Sequence, residues 1–233
     1  MKTVKTFLVA IPARGGSKRL ERKNVLLLNN KPLINYSIEA ALDSTYITKV
    51  IVSSDDDEIL DVSLKCGATI LKRPRSLATD TSTTFDAVKH LIENAPSCDY
   101  IVLLQATSPL RTTQDINAAI ELLLEKKADA VVSVCEMDHS PLWANTLSEN
   151  ASMEGFLSQD VLNKRSQDLD TFYRINGAIY ICDTQKFLKE KTFFLRENTF
   201  AYKMNRESSI DIDEKIDFKI AEFILKENEN EKG

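Results

Sequence analysis

Short apolar runs alternate with amphipathic stretches along the chain. The runs Thr6–Ile11, Lys49–Ser53, Thr69–Leu71, Tyr100–Leu104, Ala130–Val134 and Gly177–Cys182 read as strands. VIVSS and YIVLLQ suit central strands covered on both faces. Between them lie helical patterns. Pro32–Leu42 opens with a proline suited to a first helical turn and sets Ile34, Ile38, Ala41 and Leu42 on one face. Asp56–Lys65, Thr84–Asn94, Gln114–Lys126 and Glu214–Lys226 repeat that spacing. Strands alternating with helices predict an α/β fold, a mainly parallel sheet with helices on both faces. Ser140–Thr171 breaks the rhythm: it is polar, weakly periodic, and holds Trp143 and the charged stretch LNKRSQDLD. It predicts an inserted small lobe over 140–172, within a core formed by 1–139 and 173–233. A lobe without a core of its own is expected to pack on a second subunit. The tail ENENEKG is expected to fray.

A length of 233 residues suits one large α/β domain or a core with a smaller lobe. Hydrophobic residues at 43% and charged residues at 28% are ordinary for a globular protein. A formal net charge of -5 lacks the broad positive field of a protein that binds nucleic-acid polymers, but leaves room for a nucleotide held by local cations. Cys66, Cys98, Cys135 and Cys182 form no C-x-x-C pair, and with two histidines there is no zinc-ligand cluster. They read as free thiols of a reducing cytoplasm. The run Phe7–Ile11 is too short for a signal segment or a membrane span, and no later run approaches membrane length. The expectation is a cytoplasmic protein without a membrane partner.

In an open parallel sheet, ligands bind beyond the carboxyl ends of the strands. After the first strand come Arg14, Gly15, Gly16, Ser17 and Lys18, then Lys23. Paired glycines let backbone N–H groups approach an anion, and Arg14, Lys18 and Lys23 supply charge enough to neutralise a triphosphate. The spacing matches neither G-x-x-x-x-G-K-[ST] nor G-x-G-x-x-G, which argues against ATPase and dehydrogenase readings. Asp55, Asp56 and Asp57 follow the second strand, as a helix cap or, for Asp55, as a ligand. Arg73 is a candidate nucleotide contact, and the hydroxyl cluster Thr81–Thr84 is a contact or a helix entry. Past the fourth run, Gln105–Arg111 sits where a substrate would be read, with Arg111 alternatively a structural ion-pair partner. In SIDID, an extended backbone would put Asp211 and Asp213 on one face and Ile210 and Ile212 on the other. Two such carboxylates suit Mg²⁺; Asp213 as a helix cap is the alternative.

IPARGGSK with Lys23–Asn24, VSSD at 52–55, LLQATSPLR at 103–111, NGAIYI at 176–181 and SIDID at 209–213 occur in one order. Together they resemble the acylneuraminate cytidylyltransferases, or CMP-sialic acid synthetases, over nearly the whole chain. The resemblance implies a nucleotide-diphospho-sugar-transferase-like α/β fold with a protruding dimerisation lobe, hence a homodimer. It implies transfer from CTP to a nine-carbon 2-keto sugar acid with Mg²⁺, or Mn²⁺ in its place. Arg14, Gly15, Ser17, Lys18, Lys23, Asn24, Arg73 and Thr84 would serve the nucleotide. Gln105, Asn176, Tyr180, Phe193 and Phe194 would contact the sugar, with Arg165 reaching the neighbouring subunit's site. Asp211 and Asp213 would hold the metal, and Arg14, Lys18, Lys23 and Asp211 would carry the chemistry.

Two positions depart from the family pattern. Ala106 stands in a proline place, and His139-Ser140-Pro141-Leu142-Trp143 lacks a lysine that some relatives carry. Trp143 either favours a less polar sugar substituent, as in legionaminic acid, or packs within the lobe or dimer. The rival readings are a cytidylyltransferase for the eight-carbon sugar Kdo and a catalytically inactive CTP-binding regulator. Leu20–Asn24 lacks the proline-containing stretch of the first, and the intact cation and aspartate set argues against the second.

Overall fold

Seven strands form one sheet because most of their side chains have no exposed face to fill. In the computed structural model, which describes residues 5–17 and 19–230, Val9, Ala10, Ile11, Val52, Val102 and Leu104 are fully buried. In chain order the elements are β1 (Phe7–Pro12), the short strands β2 (Leu27–Leu28) and β3 (Lys31–Pro32), α1 (Leu33–Leu42), β4 (Ile47–Ser54), α2 (Asp57–Lys65), β5 (Thr69–Lys72), α3 (Thr84–Glu93), β6 (Tyr100–Leu104), α4 (Thr113–Lys126), β7 (Ala130–Glu136), β8 (Tyr173–Asp183), α5 (Thr184–Glu190), β9 (Thr199–Met204) and α6 (Lys215–Asn230).

The sheet order is β5-β4-β1-β6-β8-β7-β9. Only β8 runs against its neighbours, antiparallel to β6 and β7, while the β1–β4, β1–β6, β4–β5 and β7–β9 pairings are parallel. The mainly parallel α/β fold expected from the alternating pattern is present. α1, α2 and α4 pack on one face through Ile34, Ile59 and Ile120, and α3 and α5 on the other through Leu91 and Phe187. On α1, Ile34, Ile38 and Ala41 are buried as expected, but Leu42 is exposed and Leu33 is buried in its place.

The sequence pattern omits β2, β3, α5 and β9. Asn29 and Asn30 turn β2 into β3 with both residues at positive φ (46° and 62°), a conformation asparagine tolerates. α5 is a single short helix started by the Asp183 carboxylate, which accepts from the N–H groups of Gln185 and Lys186. β9 lies at the sheet edge and is largely exposed. The tail expected to fray continues α6 through Asn230, and Glu231, Lys232 and Gly233 lie outside the described residues. Residues 140–172 contain no α-helix or strand, only 3₁₀ turns at Pro141–Trp143 and Ser166–Asp168.

α2 begins where Asp56 accepts from the Ile59 N–H at 3.0 Å, and Arg22 donates to the same carboxylate at 2.7 Å. The Arg22 hydrogen bond holds the Asp56 carboxyl below the usual carboxylate range, with the Ile59 N–H adding to it against desolvation. A depressed folded-state pKa contributes stability above the unfolded value and loses it as pH falls through the folded value. Asn caps a helix as well as Asp does, so Asp56→Asn isolates the contribution of Arg22. The unfolding free-energy gap between wild type and Asp56→Asn should be constant above about pH 5 and shrink below about pH 4. A gap that does not change with pH in urea titrations would contradict the pairing. Phe187 is fully buried against Phe85 and Phe193. Phe187→Ala should cost about 3–5 kcal/mol in the same titrations.

Candidate active site

β1 connects outward to β4 and β5, and the chain then returns across β1 to β6, so the strand order reverses between β1 and β6. A cleft of ≈ 470 Å³ opens there, at the carboxyl ends of these strands. Its lining comes from the loop after β1 with Arg14, Ser17, Lys23 and Asn24, from Arg73, residues 77–80 and 82–84, from a floor of Gln105–Thr107 just past β6, and from Asp213 before α6. Lys18 lies outside the described residues.

The loop after β1 is folded onto the ends of its neighbours. The Gly15 N–H donates to Asp55 at 3.2 Å, and a Cβ at Gly15 would stand 2.7 Å from the Asp56 carboxylate, so any larger residue would have to displace that side chain. Gly16 has open space around it. Asn24, buried, donates its amide to the Arg14 carbonyl at 3.0 Å and fixes the loop from below. Arg14 reaches across the cleft to the Thr79 carbonyl and, at 3.0 Å, to Asp80. Lys23, with its side chain only 13% exposed, donates to the Ile212 carbonyl at 2.7 Å and to Asp213 at 3.1 Å. Arg19, a cation the sequence reading did not select, also pairs with Asp213. The donors that would hold a triphosphate are thus held by the protein's own oxygens, which phosphate oxygens would have to replace.

Arg73 is buried, with its Nη2 on the Ala13 carbonyl and its Nε unpartnered; burial lowers its pKa. Thr83, not Thr84, caps α3, in a reciprocal pair with Asp86; Thr84 lines the cleft. Arg111 is held by main-chain carbonyls rather than by the ion pair that one of its expected roles called for. It is buried and donates to the carbonyls of Gln105 and Ala178, and no ion pair of Arg111 occurs among the described residues. Its Nε and Nη2 are unpartnered, and burial lowers its pKa to about 10.

Asp211 and Asp213 come from the extended stretch before α6, with Ile212 buried between them and Ile210 packed on the same cluster. Burial pushes the Asp211 carboxyl above its usual range, aided by Asp213 and Asp217, while Thr107 and Lys23 oppose the shift. Asp211 Oδ1 is buried with no hydrogen-bond partner. An orphaned carboxylate oxygen beside a second carboxylate is a donor set that fits Mg²⁺ completed by phosphate oxygens. No group of three or more metal-binding side chains occurs among the described residues.

The residues implied for the sugar divide. Gln105 reaches the floor of the cleft. Tyr180 contacts Phe193 at a tilt and Phe194 edge-on, with ring centroids 5.7 and 5.9 Å away. Burial and the Asp211 charge both raise its pKa. Phe193 is buried against Phe187, whereas Phe194 is half exposed. Asn176 departs from the implied contact: it is buried, and both its amide hydrogens and its oxygen are engaged inside the protein. Arg165, in the 140–172 segment, pairs with Asp168 of its own chain at 2.9 Å.

Comparison with known proteins bears on this cleft. The family model for cytidylyltransferases matches residues 8–231. The N-acylneuraminate cytidylyltransferase of Streptococcus agalactiae serotype V is 38% identical over 89% of this chain and 50% of its own length, and that of Escherichia coli O18:K1:H7 is 37% identical over 98% and 54%. The chain therefore spans about half the length of these relatives. The CMP-N,N'-diacetyllegionaminic acid synthase of Legionella pneumophila is 35% identical over 96% of this chain and 97% of its own. Among solved structures, a CMP:2-keto-3-deoxy-manno-octonic acid synthetase complexed with CTP superposes with a TM-score of 0.73 at 14% identity, covering 96% of this chain and 99% of that one, a likeness of fold. The chain belongs to the cytidylyltransferase family.

Proposed function

We propose that this chain joins CTP to a nine-carbon 2-keto sugar acid, N-acetylneuraminic acid or a relative such as legionaminic acid, releasing pyrophosphate. The observation that carries the reading is the cleft between β1 and β6, where Arg14, Lys23 and Arg73 share the lining with Asp213, and Asp211 lies two residues before it within the electrostatic reach of Lys23. Relatives named for sialic and legionaminic acid activation support it.

In this reaction the sugar's anomeric oxygen forms a bond to the α-phosphorus of CTP. The bond from that phosphorus to the bridging oxygen breaks, and pyrophosphate leaves as the hydroxyl proton is released. Arg14, Ser17, Lys23 and the Gly15 N–H bind the phosphates once freed from Asp80, Asp213 and Asp55, with Lys18 assigned beside them. Arg73 and Thr84 place the nucleotide, and Asn24 fixes the loop that presents Arg14. Gln105, Tyr180 and Phe194 shape the sugar side, and Phe193 supports Tyr180 from the core. Asp211 and Asp213 would hold Mg²⁺, or Mn²⁺ in its place, which supplies positive charge where the phosphoryl oxygens gain negative charge. The remaining contribution is alignment.

The exposed apolar side chains Leu142, Leu147, Met153 and Leu162 support a role for 140–172 in packing on a second subunit, with Arg165 directed to the partner's site. A cytoplasmic setting agrees with the four free cysteines, and no helix among the described residues is long and apolar enough to cross a membrane.

Pyrophosphate release measured with CTP and Mg²⁺ tests the reading, with N-acetylneuraminic, legionaminic, pseudaminic and Kdo sugars supplied in parallel. Release with a nine-carbon acid is expected. Release with Kdo alone, or CTP binding without release, would move one of the two alternatives to the front. Asp211→Ala should lower turnover about 100-fold or more while shifting unfolding free energy by less than about 1 kcal/mol, since it removes a carboxylate whose burial is costly and whose Oδ1 has no partner. Near-normal turnover at saturating Mg²⁺ would contradict the assignment. Lys23→Ala should raise the KM for CTP and lower kcat, by about 100-fold in kcat/KM.

A further inference from the structure

β8 is irregular where it passes the cleft. Its register with β7 shifts between Val132 and Val134, opposite the four residues 176–179. Gly177 adopts φ 78°, and a Cβ there would lie 3.1 Å from Gln105 Oε1 and 3.8 Å from Asp211 Oδ2. The irregularity thus brings bare backbone between the floor of the cleft and the Asp211 carboxylate.

Asn176 holds this arrangement with every hydrogen-bonding atom it has. Its Oδ1 accepts from the Ser133 hydroxyl at 2.6 Å and from the Ala178 N–H at 3.2 Å. Its Nδ2 donates to Ser209 Oγ at 2.8 Å and to Met204 Sδ at 3.2 Å. Ser209 in turn donates to the Asn205 carbonyl at 2.6 Å. Ser133, Asn176 and Ser209 are all buried. Ser209 stands two residues before Asp211, and between them Ile210 packs on the Ile212 cluster. On the other side, Arg111 holds the Ala178 carbonyl at 3.1 Å. A fully satisfied buried network of this kind fixes one geometry.

We infer that Asn176 is a positioning residue, which sets the place of the Asp211 carboxylate through Ser209 and keeps Gly177 open beside it, rather than a group that touches the sugar. This rests on the proposed reaction, in which Asp211 serves the metal. Outer residues that orient a metal ligand commonly change metal affinity 10–100-fold when removed.

Ser209 gives the test, because it is buried behind Asn176 and carries the link without facing the cleft. Mn²⁺ binding to the CTP-bound protein, followed by the EPR signal of free Mn²⁺, should weaken about tenfold in Ser209→Ala. In the same variant kcat should fall about tenfold while the sugar KM changes less than about twofold. CTP affinity in EDTA should stay at the wild-type value and so report an intact fold. Ser209→Thr, which keeps the hydroxyl, should restore Mn²⁺ affinity. If the alanine variant does not fold, Ser209→Cys replaces the oxygen with a weak sulfur acceptor at nearly equal size and should also lose Mn²⁺ affinity. Wild-type Mn²⁺ affinity in the folded alanine or cysteine variant overturns the inference, as does a loss confined to the sugar KM. The Mn²⁺ readout needs no turnover, so a wild type that releases no pyrophosphate sinks the proposed reaction and leaves the link to be decided by metal affinity alone.

Discussion

A single ammonium group ties the two ends of the chain together across the cleft. Lys23 leaves the loop after β1 and reaches the Ile212 carbonyl and the Asp213 carboxylate, 189 and 190 residues away. Its side chain is largely shielded from solvent, while the Asp213 carboxylate remains half exposed. Everything the cleft offers to an anion is arranged around that tie. Arg19 adds a second charge to Asp213, Arg14 leans on Asp80, and the Gly15 N–H rests on Asp55. Arg14, Arg19, Lys23 and the Gly15 N–H each meet an internal acceptor, whereas Arg73 keeps an unpartnered Nε. A triphosphate with its cation can replace those acceptors group for group, so the resting pairs keep the cleft formed while leaving it exchangeable.

The carboxylate side is built differently. Asp211 is not balanced: burial raises its pKa and one oxygen has no partner. Its position is set from behind, by Ile212 in the core and by the Ser133–Asn176–Ser209 network. β8 contributes through its irregular stretch, where Gly177 faces both Gln105 and Asp211 and any other residue would carry a Cβ into that space. Rigid support beneath a carboxylate with one unpartnered oxygen is a form of preorganisation.

The central strands and long helices were legible because burial on both faces leaves a continuous apolar run, as in Val50–Ser53 or Ile101–Leu104, and a one-sided stripe, as in Ile34, Ile38 and Ala41. β9 was not legible, since an exposed edge strand carries no such run, and α5 is too short for a periodic signal. The direction of β8 was hidden for a different reason: residue pattern reports burial, not polarity. At the site, the loop after β1 stood out as cations and glycines behind a buried strand. Asn176 did not stand out as a structural residue, because its partners Ser133 and Ser209 are 43 and 33 residues away and only the fold brings them together. That Arg111 is held by main-chain carbonyls rather than by an ion pair was equally invisible in a sequence that has Asp115 four positions on.

The cleft is read here as a place where an α-phosphorus is attacked and pyrophosphate departs. Phosphorus NMR of the protein with CTP, Mg²⁺ and the accepted nine-carbon acid follows that bond change directly. The account predicts that CTP resonances give way to one phosphodiester resonance and to pyrophosphate in equal molar amounts. Appearance of CDP with orthophosphate, of free CMP without a sugar ester, or of no change in the CTP resonances would contradict it.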